Sequence, residues 1–397
     1  MPFIGNKPTA IPLSADDLED NIISTAKIQD NAVTTAKTSY SDAPFRNIII
    51  NGDMSIAQRA TSASSITSTG YHTLDRFETL ISSLGTWTQS QSTTVPSGQG
   101  FAKSLKMDNT TADASPASGD YCIVRTKFEG QNLQYIKKGT ASAESLTLSF
   151  WVRSNKTGTY IAELYDADNT RQNSQSYTIS SADTWEKKTL TFAGDTTGAL
   201  DNDNALSLSI NFWLGAGTDF TSGTLSTSWS SVTAANRAVG QVNLADSTAN
   251  EFYITGVQLE AGTTASDFEF LPHDVNLRRC QRYYHQIYSQ SGTQAFSDVL
   301  DLANCQDYDA SQLFCMKDLP TTMRTIPSIV QTTGTDYLLA LRAGAQDGFN
   351  GFNGVGKAGY NNIAIFTSGG EGYSGSTGAA VRVRCNASYK LAANAEL

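Results

Sequence analysis

Two strand-like stretches carry the side chains best suited to holding a ligand. In residues 146–153, LTLSFWVR, alternation sets Leu146, Leu148, Phe150 and Val152 on one face and Thr147, Ser149, Trp151 and Arg153 on the other. In residues 205–214, ALSLSINFWL, the set Leu206, Leu208, Ile210, Phe212 and Leu214 opposes Ser207, Ser209, Asn211 and Trp213. If the two strands share a sheet, Trp151 and Trp213, edged by Arg153 and Asn211, form an aromatic platform. Such a surface suits sugars, whose C–H faces pack on aromatic planes while amide and guanidinium donors meet the hydroxyls. The same tryptophans serve equally to pack against another part of the chain or a second subunit, where Trp and Arg are enriched.

Hard oxygen donors form a second constellation: Asp166 and Asp168 in DADN, Asp201 and Asp203 in DNDN, and Glu260. A structural calcium ion is the one cofactor these acids suggest. Neither run extends into a twelve-residue loop with a terminal Glu, and both also read as hairpin turns. The Gly-rich stretch 347–360, DGFNGFNGVGKAGY, is not a phosphate-binding loop, because Lys357 is followed by Ala358 and Gly359. It reads as a long flexible loop in which Phe349, Phe352 and Tyr360 either offer a distal contact surface or anchor the loop. Five cysteines match no metal spacing, and their odd number argues against a disulfide framework, so they read as reduced and mostly buried. With only three histidines, zinc sites and His-dependent triads are not expected. No catalytic residues are assigned, and the chain reads as a non-enzyme.

The elements that must position these groups are almost all strands. Of 397 residues only 17% are charged, the formal net charge is −10, and Ser, Thr, Asn and Gly fill the polar positions. Aromatics at 10% supply enough bulk for real cores. Net acidity without a basic run excludes a nucleic-acid partner. No apolar stretch approaches a membrane span, and the N-terminus MPFIGNKPTA lacks the pattern of a secretory signal, so synthesis in a cytosol is expected and no membrane partner.

Residues 1–44 contain a ten-residue repeat, DNIISTAK followed by DNAVTTAK, whose apolar Ile22, Ile23 and Val33 are too few to close a core within one chain. Packing around a symmetry axis between copies fits them. Residues 45–272 hold eleven strand candidates, beginning with RNIIINGDMSI, bounded by turn residues and pointing to an antiparallel sandwich. Residues 273–290 read as a linking helix, capped by Asp274, with Leu277, Cys280, Tyr284 and Ile287 on one face. Residues 291–397 return to short strands, a smaller distal β-domain. The fold class is therefore all-β.

Several strings in the chain resemble bacteriophage tail fibre proteins. These are the repeat ISTAKIQDNAVTTAK, then RNIIINGDMSIAQR and TLDRFETL, then FYITGVQLEAGTTASDFEFLPHDVNLRRCQRYY at residues 252–284, DLPTTMRTIPSIV at 318–330, and the final AANAEL. The resemblance implies a carbohydrate-module-like jelly roll within an elongated homotrimer of the virion tail. Its N-terminal segment would dock on other tail or baseplate proteins, and its distal domain would be a candidate receptor-binding tip facing a host surface polysaccharide. A purely architectural tail adaptor and a capsule depolymerase are the alternatives. Fibre depolymerases usually resemble long parallel β-helices, whose short repeating strands do not occur here, although 38 acids leave a pair of catalytic carboxylates open.

Overall fold

β-Branched and aromatic residues alternating with Ser, Thr and Asn favour half-buried strands over helices. The computed structural model describes residues 45–290, 300–342, 345–367, 371–375 and 378–397. The repeat with Ile22, Ile23 and Val33 lies outside the described residues. The strands up to residue 261 are β1 (Ser62–Ile66), β2 (Glu78–Ser82), β3 (Thr86–Ser92), β4 (Ser104–Thr111), β5 (Tyr121–Glu129), β6 (Leu146–Ser154), β7 (Gly158–Asp166), β8 (Arg171–Ile179), β9 (Glu186–Phe192), β10 (Leu206–Ala216), β11 (Ser230–Ser231) and β12 (Glu251–Ala261). They form two antiparallel six-stranded sheets, ordered β1-β3-β4-β12-β6-β9 and β11-β8-β7-β10-β5-β2. Inner faces meet in one core in which Phe150 of the first sheet contacts Tyr177 and Phe212 of the second at 5.0 and 5.2 Å between ring centroids.

The segment RNIIINGDMSI, expected to be a strand, is not one. Asn51 and Met54 have φ of 63° and 60°, a left-handed backbone that cannot continue a pleat. The segment instead hooks along β12, with bonds from Ile48 N to Leu259 O and from Val257 N to Gly52 O, both 2.9 Å. Gly52 is required there, since a Cβ would lie 2.1 Å from Val257 O. Asn47 accepts from Leu259 N at 3.1 Å, Asn51 N donates to Asn276 Oδ1 at 3.2 Å, and Asn276 Nδ2 donates to Asp53 Oδ1 at 3.1 Å. Two strings that carry the resemblance, more than 200 residues apart, thus fasten to one another.

A short helix α1 (Thr218–Thr221) follows β10, and α2 (His273–Gln281) follows β12. The linking helix is shorter than expected. Asp274 does not cap it; Pro272 holds the cap position with no side-chain bond. After Arg282 the chain turns into strand β13 (Tyr284–Gln290), which pairs with the C-terminal strand, so Tyr284, opposite Asn394, and Ile287, at the register shift between Gln286 and Tyr288, are strand residues. Aromatic and branched residues in YYHQIY favour that pairing over another helical turn.

The remaining strands are β14 (Leu300–Asp307), β15 (Leu313–Asp318), β16 (Ser328–Gln331), β17 (Leu338–Arg342), β18 (Ala345–Phe349), β19 (Gly354–Ala358), β20 (Asn362–Phe366), β21 (Ala380–Cys385) and β22 (Tyr389–Asn394). They form a three-stranded sheet, β13-β22-β16, and a seven-stranded sheet, β18-β17-β21-β14-β15-β20-β19, over a second core. Residues 45–397 make up one compact unit.

Two expectations are corrected in this region. The Gly-rich stretch contains β18 and β19, and Phe349 and Phe352 are core residues in edge contact at 5.6 Å; only Tyr360 is exposed. Nor are all cysteines reduced. Cys305 and Cys315 face each other across β14 and β15 with Cα atoms 4.0 Å apart and form a disulfide, while Cys122, Cys280 and Cys385 are free and buried. Hairpin register, which Cys spacing does not reveal, made the pair.

The C-terminal AANAEL is tied to the sandwich by ion pairs. Glu396 receives the guanidinium of fully buried Arg76, from the string TLDRFETL, and that of Arg59 at 3.0 Å. Arg76 also lies 3.5 Å over the Tyr283 ring, and Lys127 Nζ donates to Leu397 O at 2.6 Å.

Candidate functional site

The two tryptophans singled out in the sequence stand on different sheets, Trp151 on β6 and Trp213 on β10. They do not form one platform. Both point away from the sandwich core as alternation requires, but their surroundings differ.

Trp213 is completely buried. The 217–243 excursion between β10 and β12 folds back over the outer face of the second sheet and packs Phe220, Leu225 and Ala238 around the indole with Ile123 and Ile161. Backbone bonds hold this cover: Ala238 N to Phe220 O at 2.9 Å and Val242 N to Thr159 O at 2.9 Å. Beneath it Glu163 of β7 accepts from Asn211 Nδ2 at 2.9 Å, from Trp213 Nε1 at 3.3 Å, and from both prongs of Arg237 at 2.8 and 2.9 Å. Burial works against the Arg237 cation, but Glu163 more than offsets it and raises its pKa above the ordinary arginine value. Asn211 and Trp213 therefore serve intramolecular packing.

Trp151 and Arg153 lie half-buried on the outer face of the first sheet, directly opposite Thr255 and Tyr253 of β12, with Lys187 of β9 opposite Trp151 on its other side. The Arg153 guanidinium sits 4.9 Å over the Tyr253 ring and donates to Asp183 at 2.8 Å. The Trp185 ring meets Tyr253 edge-on at 6.2 Å. On the far side Lys106 donates to Glu251 at 2.5 Å, and the Tyr253 hydroxyl donates to Glu251 at 2.7 Å. Burial raises the Glu251 pKa, yet the Lys106 and Tyr253 bonds outweigh it and hold the carboxyl below its ordinary range. Among the described residues the buried Trp185 Nε1 has no hydrogen-bond partner. Trp151, Arg153 and Trp185 thus make a half-buried aromatic and guanidinium surface with polar edges, backed by the buried Tyr253 ring. Tyr253 was legible in EFYITGVQL by the same alternation that exposed Trp151; Trp185, just before its strand, carried no such signal.

The candidate calcium ligands do not converge. Asp166 is buried against the ammonium of Lys138, which also lies 3.0 Å from Asp195 and donates to Gly198 O at 2.7 Å. A protein cation fills the place a metal would take. Asp168 accepts from Asp201 N at 2.9 Å, a bond between two distant loops, and Asp203 accepts from Ala205 N at 2.8 Å within its own turn. Glu260 is on the first sheet and is engaged by Ser266 N at 2.9 Å and Ser266 Oγ at 2.7 Å. Among the described residues no group of three His, Cys, Asp or Glu side chains is placed to hold a metal, and no helix is long and apolar enough to cross a membrane.

No model of a known family and no curated protein matches the chain. Solved structures do. One is the enzymatically active domain of bacteriophage CBA120 tailspike protein 4, 16% identical, with the match covering 55% of this chain and 22% of that one at a TM-score of 0.28. A family 11 carbohydrate-binding module from Clostridium thermocellum, in complex with a β-1,3-1,4-mixed-linked tetrasaccharide, is 12% identical over 53% of this chain and 99% of its own, TM-score 0.24. TmCBM61, in complex with β-1,4-galactotriose, is 9% identical over 54% and 99%, TM-score 0.27. The chain spans about a fifth of the tailspike domain's length. These likenesses are too distant to carry an argument about its ligand.

Proposed function

We propose that this chain is a non-enzymatic attachment protein of a phage tail, a homotrimer that docks through its N-terminal segment and holds a host cell-surface polysaccharide on the outer face of the first sheet. The observation that carries the reading is the group of half-buried Trp151, Arg153 and Trp185 on that face, with Arg153 and Trp185 seated on the buried Tyr253 ring. Sugar rings stack on indole planes, and the guanidinium and ammonium groups beside them donate to hydroxyls. The strings that resemble tail fibre sequences support the setting. Each contact of this kind is weak, and three chains per fibre with several fibres per particle raise the avidity.

The test is binding of purified host polysaccharide by the assembled protein. Trp151→Ala is expected to weaken it at least tenfold with the assembly intact, and the polysaccharide is expected to remain uncut. Unchanged binding would remove the Trp151 face from the reading, and no binding by the unsubstituted protein would favour an architectural adaptor. Newly formed reducing ends would make the protein a depolymerase.

A further inference from the structure

A second region differs from the Trp151 face in both shape and charge. A cleft of about 590 Å³ opens between the 45–50 segment, β5, the turn after it, and α2. Four cations line it: Arg76, Lys127, Arg279 and Arg282. The acid on its wall, Glu129, is saturated, because Arg282 donates at 2.7 and 2.6 Å, Tyr283 at 2.5 Å and Gln131 at 2.6 Å. Lys127 is matched by Glu78 at 3.1 Å, and Arg76 by Glu396.

Arg279 is left over. Its one hydrogen bond among the described residues is a long one, 3.5 Å to Asn47 O, and no described carboxylate lies within ion-pairing distance. Burial lowers its pKa, so the cation is held partly out of water without an adequate counter-charge. Among the described residues the Nε of Arg76, whose side chain is only 1% exposed, has no acceptor. A half-buried guanidinium without a carboxylate partner, beside a buried Nε without an acceptor, makes a site for an anion, which a guanidinium grips through two parallel bonds. The rim supplies an exposed ring, Tyr135, and exposed amides at Gln131 and Asn132. One surplus positive charge matches a monoanion better than a phosphate dianion.

The geometry points to this cleft as a binding site for a carboxylate-bearing sugar unit, with the carboxylate on Arg279, the ring face against Tyr135, and hydroxyls on Gln131 and Asn132. The inference does not rest on the Trp151 reading, since the cleft shares no residue with that face.

Titration of the full chain with a galacturonate trisaccharide, a galactose trisaccharide and inorganic phosphate, followed by calorimetry or ligand-observed NMR, tests it. The uronate is expected to bind at least tenfold more tightly than either control and to weaken as salt rises. Arg279→Gln should reduce uronate binding at least tenfold. Tyr135→Ala, at an exposed position that folding tolerates, should weaken it several-fold and keeps the test valid if the arginine variant does not fold. Equal binding of the neutral sugar, stronger binding of phosphate, indifference to both substitutions, or no binding would overturn the proposal. So would preferential binding of a peptide comprising residues 30–44, which would make the cleft a protein-docking site.

Discussion

The outer faces of the two sandwich sheets begin from the same pattern and end with opposite roles. On β6 the sequence LTLSFWVR and on β10 the sequence LSLSINFWL each send a tryptophan outward behind an aliphatic inner row. On the first sheet Trp151, Arg153 and Trp185 are only half-buried among the described residues, and Tyr253 lies buried beneath the Arg153 guanidinium. On the second sheet the 217–243 excursion returns over Trp213 and turns the same kind of strand face into a small separate core, where fully buried Glu163 holds the part-exposed Arg237. Alternation determines which way a side chain points from its sheet. Whether that direction is solvent depends on a loop that obeys no period.

The largest effects should come from the covered face. Trp213→Ala removes an indole enclosed on all sides and is expected to cost about 3–5 kcal/mol in a denaturant melt. A loss below about 1 kcal/mol would show that the cover is loosely seated. Glu163→Gln leaves the Arg237 guanidinium without its counter-charge under the cover and should cost on the order of 3 kcal/mol. Were the melt unchanged, solvent would have to reach Arg237, and the contrast between the faces would weaken.

The open face should respond much less. Because the folded-state pKa of Glu251 is depressed, its pairing with Lys106 stabilises the fold above the ordinary glutamate range and is lost as pH falls through the depressed value. The pair is about one-third exposed, so Glu251→Gln should flatten the acid limb of the stability curve by no more than about 0.5–1 kcal/mol. Trp151→Ala should shift stability least, by less than about 1 kcal/mol, while affecting polysaccharide binding most. If it unfolds the protein instead, Trp151 is a packing residue like Trp213.

Much of the fold could be read without coordinates. The inner rows Leu148, Phe150, Val152 and Leu208, Ile210, Phe212 are core residues, as their period of two requires. The start of α2 and most C-terminal strands were legible for similar local reasons. RNIIINGDMSI misled because strand propensity cannot register the left-handed turns at Asn51 and Met54, which exist to bring the segment against β12. Phe349 and Phe352 misled because the glycines around them suggested a loop, whereas Phe349 ends β18, paired with β17, and Phe352 follows in the connection to β19, both with their rings in the second core.

The candidate sites divide in the same way. Composition and alternation by themselves determined an all-β chain, its inner rows, and an outward-facing Trp151 beside Arg153. Those properties depend on neighbours two residues away along a strand. Tertiary structure alone decided that Trp213 is covered and that Lys138 replaces a metal beside Asp166. It also decided that Cys305 meets Cys315, and that Arg279 lacks a carboxylate partner in a cleft built from distant segments. Each of these depends on which remote segment arrives opposite a given side chain, and burial and charge balance are properties of that meeting rather than of either sequence alone.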